Sequence, residues 1–424
     1  MMSKLFIYGG ELYNGLGDPA TNNTGILVEQ GIIMRMDIHP TELESMLENP
    51  SIHTIDATDR WIMPGLIDGH CHLTFGHPSW GQALPDGSTS RVELCTLRAI
   101  ENAKAVLASG VTGISVPGGA WFADVAVRDA INLGVTQGPR IFAGGRFIST
   151  YDTIADPDPS SIGTPEHGIG ILANTKEEMV AEVRRQAKNG VDLIKVGDSP
   201  WGNEQMISLV ELQAITDEAH RRNKRVTIHA RGAGSTRIAA EAGVDWIMHA
   251  DYARAEELVT VAERGTPIMP TLAALEVICR HGAEYGIPQP IIDQVRLNRD
   301  CAIAMLELSR EYGITLLCGT DTGNSQIMQY GKYHALEMDL LMEYAGLSPQ
   351  EAIKAATSDN ALTLGLEGKL GALAPGYMAD LIVVNKDPAK GFASIHNPQN
   401  LEHVVKAGEL TQLIPFRHGH QGAS

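Results

Sequence analysis

Two histidines, His70 and His72, flank Cys71 at the end of a run of strand-forming residues. Alternate side chains of an extended strand share one face, so both imidazoles point one way and Cys71 points the other. This arrangement suits a metal ion. The motif alone is equally consistent with two exposed histidines at a polar strand end, so residues at other strand ends must decide between the two interpretations.

Four more residues with suitable side chains follow other strand-like runs. Lys195 lies in DLIKV, His229 ends RVTIH, His249 ends WIMH, and Asp321 follows TLLCGT. Each residue alone would more often be structural. Barrel enzymes, however, place their chemistry at the carboxyl ends of their strands, and agreement at five strand ends by chance is improbable. Together the six side chains predict a metal centre.

The chemistry of this set begins with charge. Four neutral imidazoles and one carboxylate poorly balance two divalent cations ~3.5–4 Å apart, the spacing of two-metal hydrolytic sites, so a bridging anion is needed. Because a buried lysine has a lowered pKa, Lys195 can be a neutral amine that adds carbon dioxide to become a carbamate with two ligating oxygens. Two metals that share a hydroxide lower the pKa of the parent water towards ~7 and polarise a carbonyl. Asp321 would deprotonate the bridging water as general base and then protonate the departing amine as general acid.

A scaffold must bring these strand ends together. From Trp61 to Leu364, short β-rich runs alternate with longer helical patterns, which is typical of βα units that build a parallel sheet. Eight runs predict a closed barrel: Trp61–Asp68, Thr112–Val116, Arg140–Ala143, Asp192–Val196, Arg225–Ile228, Trp246–Met248, Pro267–Met269 and Thr315–Cys318. Between them lie the helical patterns Arg91–Ser109, Glu177–Asn189, Leu209–Arg222 and Ile291–Tyr312.

The two ends of the chain differ from its middle. Residues 1–60 contain strand-like runs separated by Gly and Asn turns, and residues 365–424 supply two more, Ala379–Val384 and His403–Lys406. We predict that both ends form one small β-sandwich domain beside a barrel of residues 61–364. The irregular segment Gly144–Gly170 follows the third predicted strand, and we expect it to cover the mouth of the barrel.

Composition narrows the class of partner. The 424 residues carry a formal charge of −18, and 43% of them are hydrophobic. An acidic surface repels phosphate backbones, and no apolar stretch approaches the ~18 residues of a membrane span, so we expect neither nucleic acid nor membrane as a partner. The five cysteines are scattered without CxxC spacing, which fits a reducing compartment. We expect a cytoplasmic protein with a small-molecule substrate.

At these residues the sequence resembles the amidohydrolase superfamily, and the resemblance covers nearly the whole chain. The matching stretches are MPGLIDGHCH (63–72), GTDTG (319–323), NALTLGL (360–366) and GALAPGYMADLIVV (371–384), together with Lys195, His229 and His249. The sequence looks most like the prolidase-like and imidazolonepropionase-related branch, which cleaves amide, peptide or related C–N bonds. This resemblance implies an α/β fold with a distorted (β/α)8 TIM barrel and a split β-sandwich, and assembly into a homo-oligomer.

The resemblance also implies a binuclear metal centre with an N6-carboxylated Lys195 as the bridging ligand. Zinc is the expected metal, and manganese, cobalt or iron are compatible with the same ligands. The ligands carried over are His70, His72 and Asp321 for the more buried metal, and His229 and His249 for the more exposed one.

Residues that would contact the substrate are less specific. The branch tends to carry a tyrosine after the sixth-strand histidine, so Tyr252 would polarise the scissile carbonyl, although a half-buried structural tyrosine fits equally well. Arg231 could bind a carboxylate or form a structural salt bridge. His334 could line the pocket or have a capping or solvent-exposed role, and Trp80 could face the substrate or anchor a loop. Prolidase-like relatives commonly have a pocket histidine near the third strand, whereas the nearest one here is His167, deep in the following segment.

These inferences predict a metal-dependent hydrolase that cleaves an amide-like C–N bond in a small molecule, such as an N-acyl amino acid, a dipeptide or an aryl amide. The alternatives in the same superfamily are a carbamate or urea hydrolase and a hydrolytic deaminase. Lys195 disfavours the deaminase, because superfamily members of that kind usually lack the bridging lysine. A non-catalytic assembly protein is a further alternative, but such a relative would have lost ligands, and here all six positions are filled.

Overall fold

The structure is a computed structural model. It describes residues 4–74, 91–156, 161, 170–325, 327–392, 395, 397 and 399–411. Within these ranges, no helix combines the length and the apolar character that crossing a bilayer requires.

Strands and helices alternate through the middle of the chain, while short strands dominate its ends. The strands are β1 Lys4–Tyr8, β2 Glu11–Leu12, β3 Thr21–Asn22, β4 Ile26–Glu29, β5 Ile32–Met36, β6 Ile52–Asp56, β7 Trp61–Pro64, β8 Leu66–Asp68, β9 Val111–Val116, β10 Arg140–Ala143, β11 Phe147–Ser149, β12 Gly170–Leu172, β13 Leu193–Gly197, β14 Arg225–Ala230, β15 Trp246–His249, β16 Ile268–Met269, β17 Leu381–Val384, β18 Leu401–Lys406 and β19 Glu409–Leu410. The helices are α1 Pro40–Leu47, α2 Val92–Ala108, α3 Ala123–Asn132, α4 Lys176–Lys188, α5 Leu209–His220, α6 Ala233–Ala242, α7 Ala255–Arg264, α8 Leu272–His281, α9 Gln289–Glu311, α10 Leu336–Ala345 and α11 Pro349–Ala355.

Parallel, buried strands run through the centre of the molecule. One sheet has the order β10-β9-β8, and a second has the order β12-β11-β13-β14-β15-β16. The backbone N–H of Asp192 donates to Ala143 O at 2.7 Å, so the start of β13 meets the end of β10. At the other edge, Ile268 of β16 forms a parallel bridge with Leu316, and the N–H of Gly69 donates to Cys318 O. These links bring the carboxyl ends of the central strands to one side of the molecule.

The run WIMPGLID does not form one strand, contrary to expectation. Trp61–Pro64 is β7, which pairs with β17 and β2, whereas Leu66–Asp68 is β8, which pairs with β9. Gly65 allows the change of sheet because a Cβ at this position would lie 2.3 Å from the Thr112 hydroxyl. The strand that pairs with β17 and the strand that precedes the histidines are therefore separate elements.

Two other expectations also needed correction. Residues 315–318 form only an isolated bridge at Leu316 rather than a strand. The segment Gly144–Gly170 is not wholly irregular, because Phe147–Ser149 and Gly170–Leu172 pair with each other and the former also pairs with β13. The period-two pattern of these three-residue strands is too short to be visible in the sequence.

Strands from both ends of the chain pair with each other. The sheet β19-β18-β17-β7-β2-β3 joins C-terminal β17 to N-terminal β2 through β7, and a second sheet has the order β5-β4-β1-β6. Apolar side chains from both sheets form one buried cluster, which includes Ile7, Ile33 and Val383. Packing of two sheets through their apolar faces explains why these short strands are stable.

Candidate active site

The loop after β8 and the loop that contains Asp321 bring three ligand atoms together. The Nε2 atoms of His70 and His72 are 3.1 Å apart, and Asp321 Oδ1 lies 3.2 Å from the former and 3.1 Å from the latter. Ligands of a four-coordinate zinc at ~2.0–2.1 Å are separated by about 3.3 Å, so this spacing fits a metal ion. Cys71 lies on the opposite side, in the main hydrophobic core, as the strand pattern predicted.

Backbone contacts fix Asp321 against β8. Its N–H donates to His70 O at 2.8 Å, and its Oδ2 accepts from Asn324 Nδ2 at 3.0 Å. Burial by itself raises the pKa of the Asp321 carboxyl, but His70, His72 and Asn324 outweigh this effect and hold the pKa well below its usual range. The residue is therefore a carboxylate, the form that binds cations.

The second pair of histidines, His229 and His249, lies beside the first. Their ring centroids are 4.4 Å apart, and the His249 ring is 5.5 Å from that of His70. Burial lowers the pKa of both rings well below the ordinary value, so they are neutral imidazoles. The Nε2 atom of each is buried and has no hydrogen-bond partner among the described residues. An unpartnered buried nitrogen is costly, and a metal ion would satisfy both.

Two hydrogen bonds orient ligand rings. His72 Nδ1 lies 2.8 Å from Gly118 O, and because a carbonyl only accepts, Nδ1 carries the hydrogen of the neutral ring, which then offers the Nε2 lone pair to a metal ion. The Thr271 hydroxyl contacts both His249 Nδ1 and Pro270 O. Because the Thr271 hydroxyl donates its hydrogen to Pro270 O, it accepts the hydrogen of His249 Nδ1. The Nε2 atom of the neutral His249 ring therefore carries no hydrogen.

Lys195, on β13, is buried beside these ligands. Burial lowers its pKa to about 7, and the charge of Arg231 adds to the effect while Asp321 opposes it. Its Nζ lies 2.6 Å from Met248 Sδ and 5.5 Å from the centroid of the Phe147 ring. Much of this lysine is a neutral amine at pH 7, the form that can react with carbon dioxide.

Backbone strain is concentrated at this site. His249, Thr271 and Asp321 have φ values of 75°, 56° and 58°, in the left-handed region that residues with a side chain seldom adopt. Such conformations cost about 1–3 kcal/mol each and persist where the surroundings hold them, often at active sites.

A cavity of about 310 Å³ opens over the ligands. Besides the proposed ligands, Arg231, Asn324 and Ser325 contribute polar groups to its lining, and the other described residues of the wall are apolar. The apolar lining consists of Phe147, Ile154, Ala155, Trp201, Ala274, Leu275, Ile278 and Val295. Ile154 and Ala155 belong to the segment between residues 144 and 170 that was expected to cover the mouth.

Arg231 lines the cavity but already has an anionic partner. Its Nη1 contacts Asp251 Oδ2, and both side chains are buried. The structural salt bridge that the sequence left open is therefore present. A substrate carboxylate would have to share this guanidinium with Asp251.

Neither Tyr252 nor His334 is among the described residues that line the cavity. The Tyr252 hydroxyl donates to Asn298 Oδ1 on α9 at 2.9 Å, and the residue lies outside the described lining of the cavity. His334 Nδ1 lies 2.7 Å from Asp68 Oδ2, while its Nε2 accepts from the Gly331 N–H at 3.1 Å. His334 therefore has the structural role that was left as an alternative.

The remaining two candidates, His167 and Trp80, lie outside the described residues. Sequence reasoning missed Asp68 and Thr271, which contact metal-site residues or their backbone. Asp68 stands in the quoted LIDGHCH stretch, so its place two residues before His70 was a usable signal. Thr271 carried none.

Comparisons with known proteins identify the family and similar folds. The model of a family described as the amidohydrolase family matches residues 61–411. Ochratoxinase from Aspergillus niger is 28% identical over 95% of this chain and 86% of its own length. Its crystal structure aligns with a TM-score of 0.82 at 25% identity, covering 96% of this chain and 95% of that one.

Two other proteins are similar over nearly the full length. The crystal structure of a Xaa-Pro dipeptidase with methionine bound in its active site has a TM-score of 0.83 and 28% identity. The alignment covers 96% of this chain and 100% of that one. Imidazolonepropionase from Symbiobacterium thermophilum is 23% identical over 96% of each chain.

Proposed function

Because this chain belongs to the amidohydrolase family, we propose that it is a binuclear metal-dependent hydrolase that cleaves an amide-like C–N bond in a small molecule. One observation carries the proposal: the four histidines, Lys195 and Asp321 come from five separated segments of the chain and lie close together in one buried site. The ligands are His70, His72 and Asp321 for one ion and His229 and His249 for the other, with N6-carboxylated Lys195 as the bridge. We propose zinc as the metal.

The proposed scaffold is a closed, distorted (β/α)8 barrel of residues 61–364. The hydrogen bonds from Asp192 to Ala143 and from Gly69 to Cys318 support closure. The first joins the start of β13 to β10, and the second joins the end of β8 to the segment that is bridged to β16. We also propose that residues 1–60 and 365–424 form one composite β-sandwich domain. The pairing of β17 and β2 with β7 supports it.

When bound, the two ions would lower the pKa of a water molecule and polarise the scissile carbonyl. The chain supplies the remaining functions. The Asp321 carboxylate accepts the proton of the attacking water and passes it to the departing nitrogen. Asn324 orients this carboxylate through Oδ2. His72 and His249 present nitrogens without hydrogen because Gly118 and Thr271 hold their opposite ring nitrogens.

The cavity wall narrows the substrate class. Leu275, Ile278, Val295 and Trp201 line the same cavity as the proposed ligands. Apolar atoms of a substrate gain about 25 cal/mol for each Å² that they bury there. The charge of Arg231 is balanced by Asp251, so a free carboxylate is not needed to complete the site. We propose an amide with an apolar or aromatic group beside the scissile bond, such as an aryl amide, a hydrophobic N-acyl amino acid or a dipeptide. The proteins that are similar to this chain include an ochratoxinase and a Xaa-Pro dipeptidase, and a dipeptide is one of the substrates in this class.

The carbamate or urea hydrolase stays as a second candidate, because the same apolar wall would accept an aryl carbamate or urea. The presence of Lys195 in the site argues against the one-metal deaminase, because superfamily members of that kind usually lack this lysine. We also propose a homo-oligomer in a cytoplasmic, reducing compartment without nucleic acid or membrane partners. The five cysteines are scattered along the sequence without CxxC spacing, which supports such a compartment.

The test is a hydrolysis screen of zinc-loaded protein against aryl amides, N-acyl amino acids, dipeptides, aryl carbamates and aryl ureas. Product identification by mass spectrometry assigns the bond that is cleaved. We expect turnover of amides with an apolar group, and its loss in an Asp321→Asn preparation purified in parallel. If the Asp321→Asn preparation hydrolyses the substrates as fast as the wild-type preparation, the activity comes from a contaminant and the result contradicts the proposal.

A further inference from the structure

Two residues at the start of helix α10 form hydrogen bonds with groups that hold the ligands of the proposed metal centre, one in each half of the centre. His334 lies two residues before the helix, and Glu337 lies in its first turn. Neither side chain lines the cavity. Both are buried, at 4% and 0% exposure, and each accepts or donates hydrogen bonds in a different half of the site.

His334 acts on the half formed by His70, His72 and Asp321. Its Nε2 accepts from the Gly331 N–H, so Nδ1 carries the hydrogen and donates to Asp68 Oδ2. Asp68 Oδ1 in turn accepts from the backbone N–H of His70 at 3.0 Å and of Thr320 at 3.1 Å. Thr320 directly precedes Asp321. The Asp68 carboxylate therefore fixes the backbone at His70 and the backbone next to Asp321.

Glu337 acts on the half formed by His229 and His249. Its two carboxylate oxygens accept from the N–H groups of Leu272 at 3.0 Å and Ala273 at 2.7 Å, which are the first two residues of α8. These bonds fix the chain directly after Thr271, whose φ is 56° and whose hydroxyl contacts His249 Nδ1. Without Glu337, two buried N–H groups would lose their acceptors, and the strained Thr271 would be free to relax.

We propose that His334 and Glu337 are positioning residues through which the start of α10 holds the two halves of the metal centre in place. His334 acts through Asp68 on His70 and Asp321, and Glu337 acts through Thr271 on His249. The inference rests on the proposed two-metal function and deepens it by assigning a support to each half. Outer contacts of this kind usually change metal affinity or activity by about 10–100-fold when they are removed.

The experiment titrates metal-free protein with cobalt(II), followed by calorimetry and by visible absorption. His72→Ala and His249→Ala serve as references, because each removes a ligand from one half. For Glu337→Gln we expect a loss of affinity of about 10–100-fold that resembles His249→Ala, with the other half unchanged. For His334→Leu we expect the loss to resemble His72→Ala. His334→Asn can still donate to Asp68, so it should restore most of the affinity.

Folding defects are separated by a matched control. Glu218 is also a buried helical carboxylate, but its partners are Arg184, Arg221 and Arg222 rather than the metal site. Glu218→Gln should bind two cobalt ions with wild-type affinity even if its thermal stability falls. Excess cobalt should restore kcat in Glu337→Gln. This variant differs from the wild type by one substituent. If the variants with larger changes do not fold, the result for Glu337→Gln decides.

The outcomes are distinguishable. If the wild type binds two ions and both Glu337→Gln and His334→Leu bind them with unchanged affinity, the positioning role is overturned while the proposed function stands. Wild-type protein that binds no cobalt contradicts the proposed function, and the positioning role falls with it.

Discussion

The Lys195 amine is 2.6 Å from the sulfur of Met248, and no carboxylate among the described residues lies within salt-bridge distance of it. A thioether is a weak acceptor and does not compensate a buried ammonium charge. Burial therefore lowers the pKa of Lys195 to about 7. This pairing explains how a lysine can be reactive at neutral pH.

Carbon dioxide uptake at Lys195 should depend on pH. Only the neutral amine reacts, and with a pKa of about 7 the amine is mostly protonated below pH 7 and mostly neutral above it. Labelling of metal-free protein with ¹³C-bicarbonate should therefore increase as the pH rises through about 7. Carbon-13 NMR provides the measurement. Lys195→Ala should show no carbamate signal, should bind less metal, and should recover part of its activity with short carboxylic acids. Full activity of this variant without them would argue against the bridge.

Asp321→Asn tests the proton carrier. The amide keeps one oxygen that can bind a metal but cannot accept the proton of the water, so we expect kcat to fall about 10²–10⁴-fold while much of the metal is retained. Steady-state kinetics with metal analysis of the same sample provides the measurement. A variant with wild-type kcat would remove Asp321 from this role.

Tyr252→Phe separates two interpretations of this tyrosine. Loss of an oxyanion donor costs about 10²–10³-fold in kcat. In the structure the hydroxyl donates to Asn298 instead, so we expect less than about a 10-fold change, mainly in KM. Kinetics at several substrate concentrations decides. A 10³-fold loss of kcat with KM unchanged would show that Tyr252 turns to the substrate during turnover.

Trp201→Ala tests the apolar wall. The indole lines the cavity, and its backbone oxygen is held by Asn298 Nδ2 at 2.9 Å. Truncation should lower kcat/KM about 10-fold for aryl amides and much less for acetyl amides of the same amine. Leu133→Ala, a change at a residue that is 80% exposed and outside the cavity, is the control. Equal losses for both substrates would contradict binding of the apolar group at Trp201.

Strand order predicted that the candidate side chains gather at one side of the parallel strands, because the carboxyl ends of parallel strands share an edge. The family resemblance assigned His70, His72 and Asp321 to one group, and these three residues lie together in the structure. The split of WIMPGLID at Gly65 was not visible, because an apolar run reads the same whether it belongs to one sheet or two.

Side-chain partners were the part that sequence could not supply. Arg231 and Asp251 are 20 residues apart, and Tyr252 and Asn298 are 46 apart, so their pairing depends on how loops and helices pack. The same holds for His334 and Asp68, at a separation of 266 residues. Residue type showed that each could form a polar contact, and only the packed structure shows with which partner.

The most direct test of the two-metal site is anomalous X-ray diffraction from crystals of zinc-loaded protein, recorded on both sides of the zinc absorption edge. We expect two peaks about 3.5–4 Å apart, one bounded by His70, His72 and Asp321, the other by His229 and His249, with density for a carbamate on Lys195 between them. A fully active crystal preparation with no peak at these residues, or with both peaks elsewhere, would contradict it.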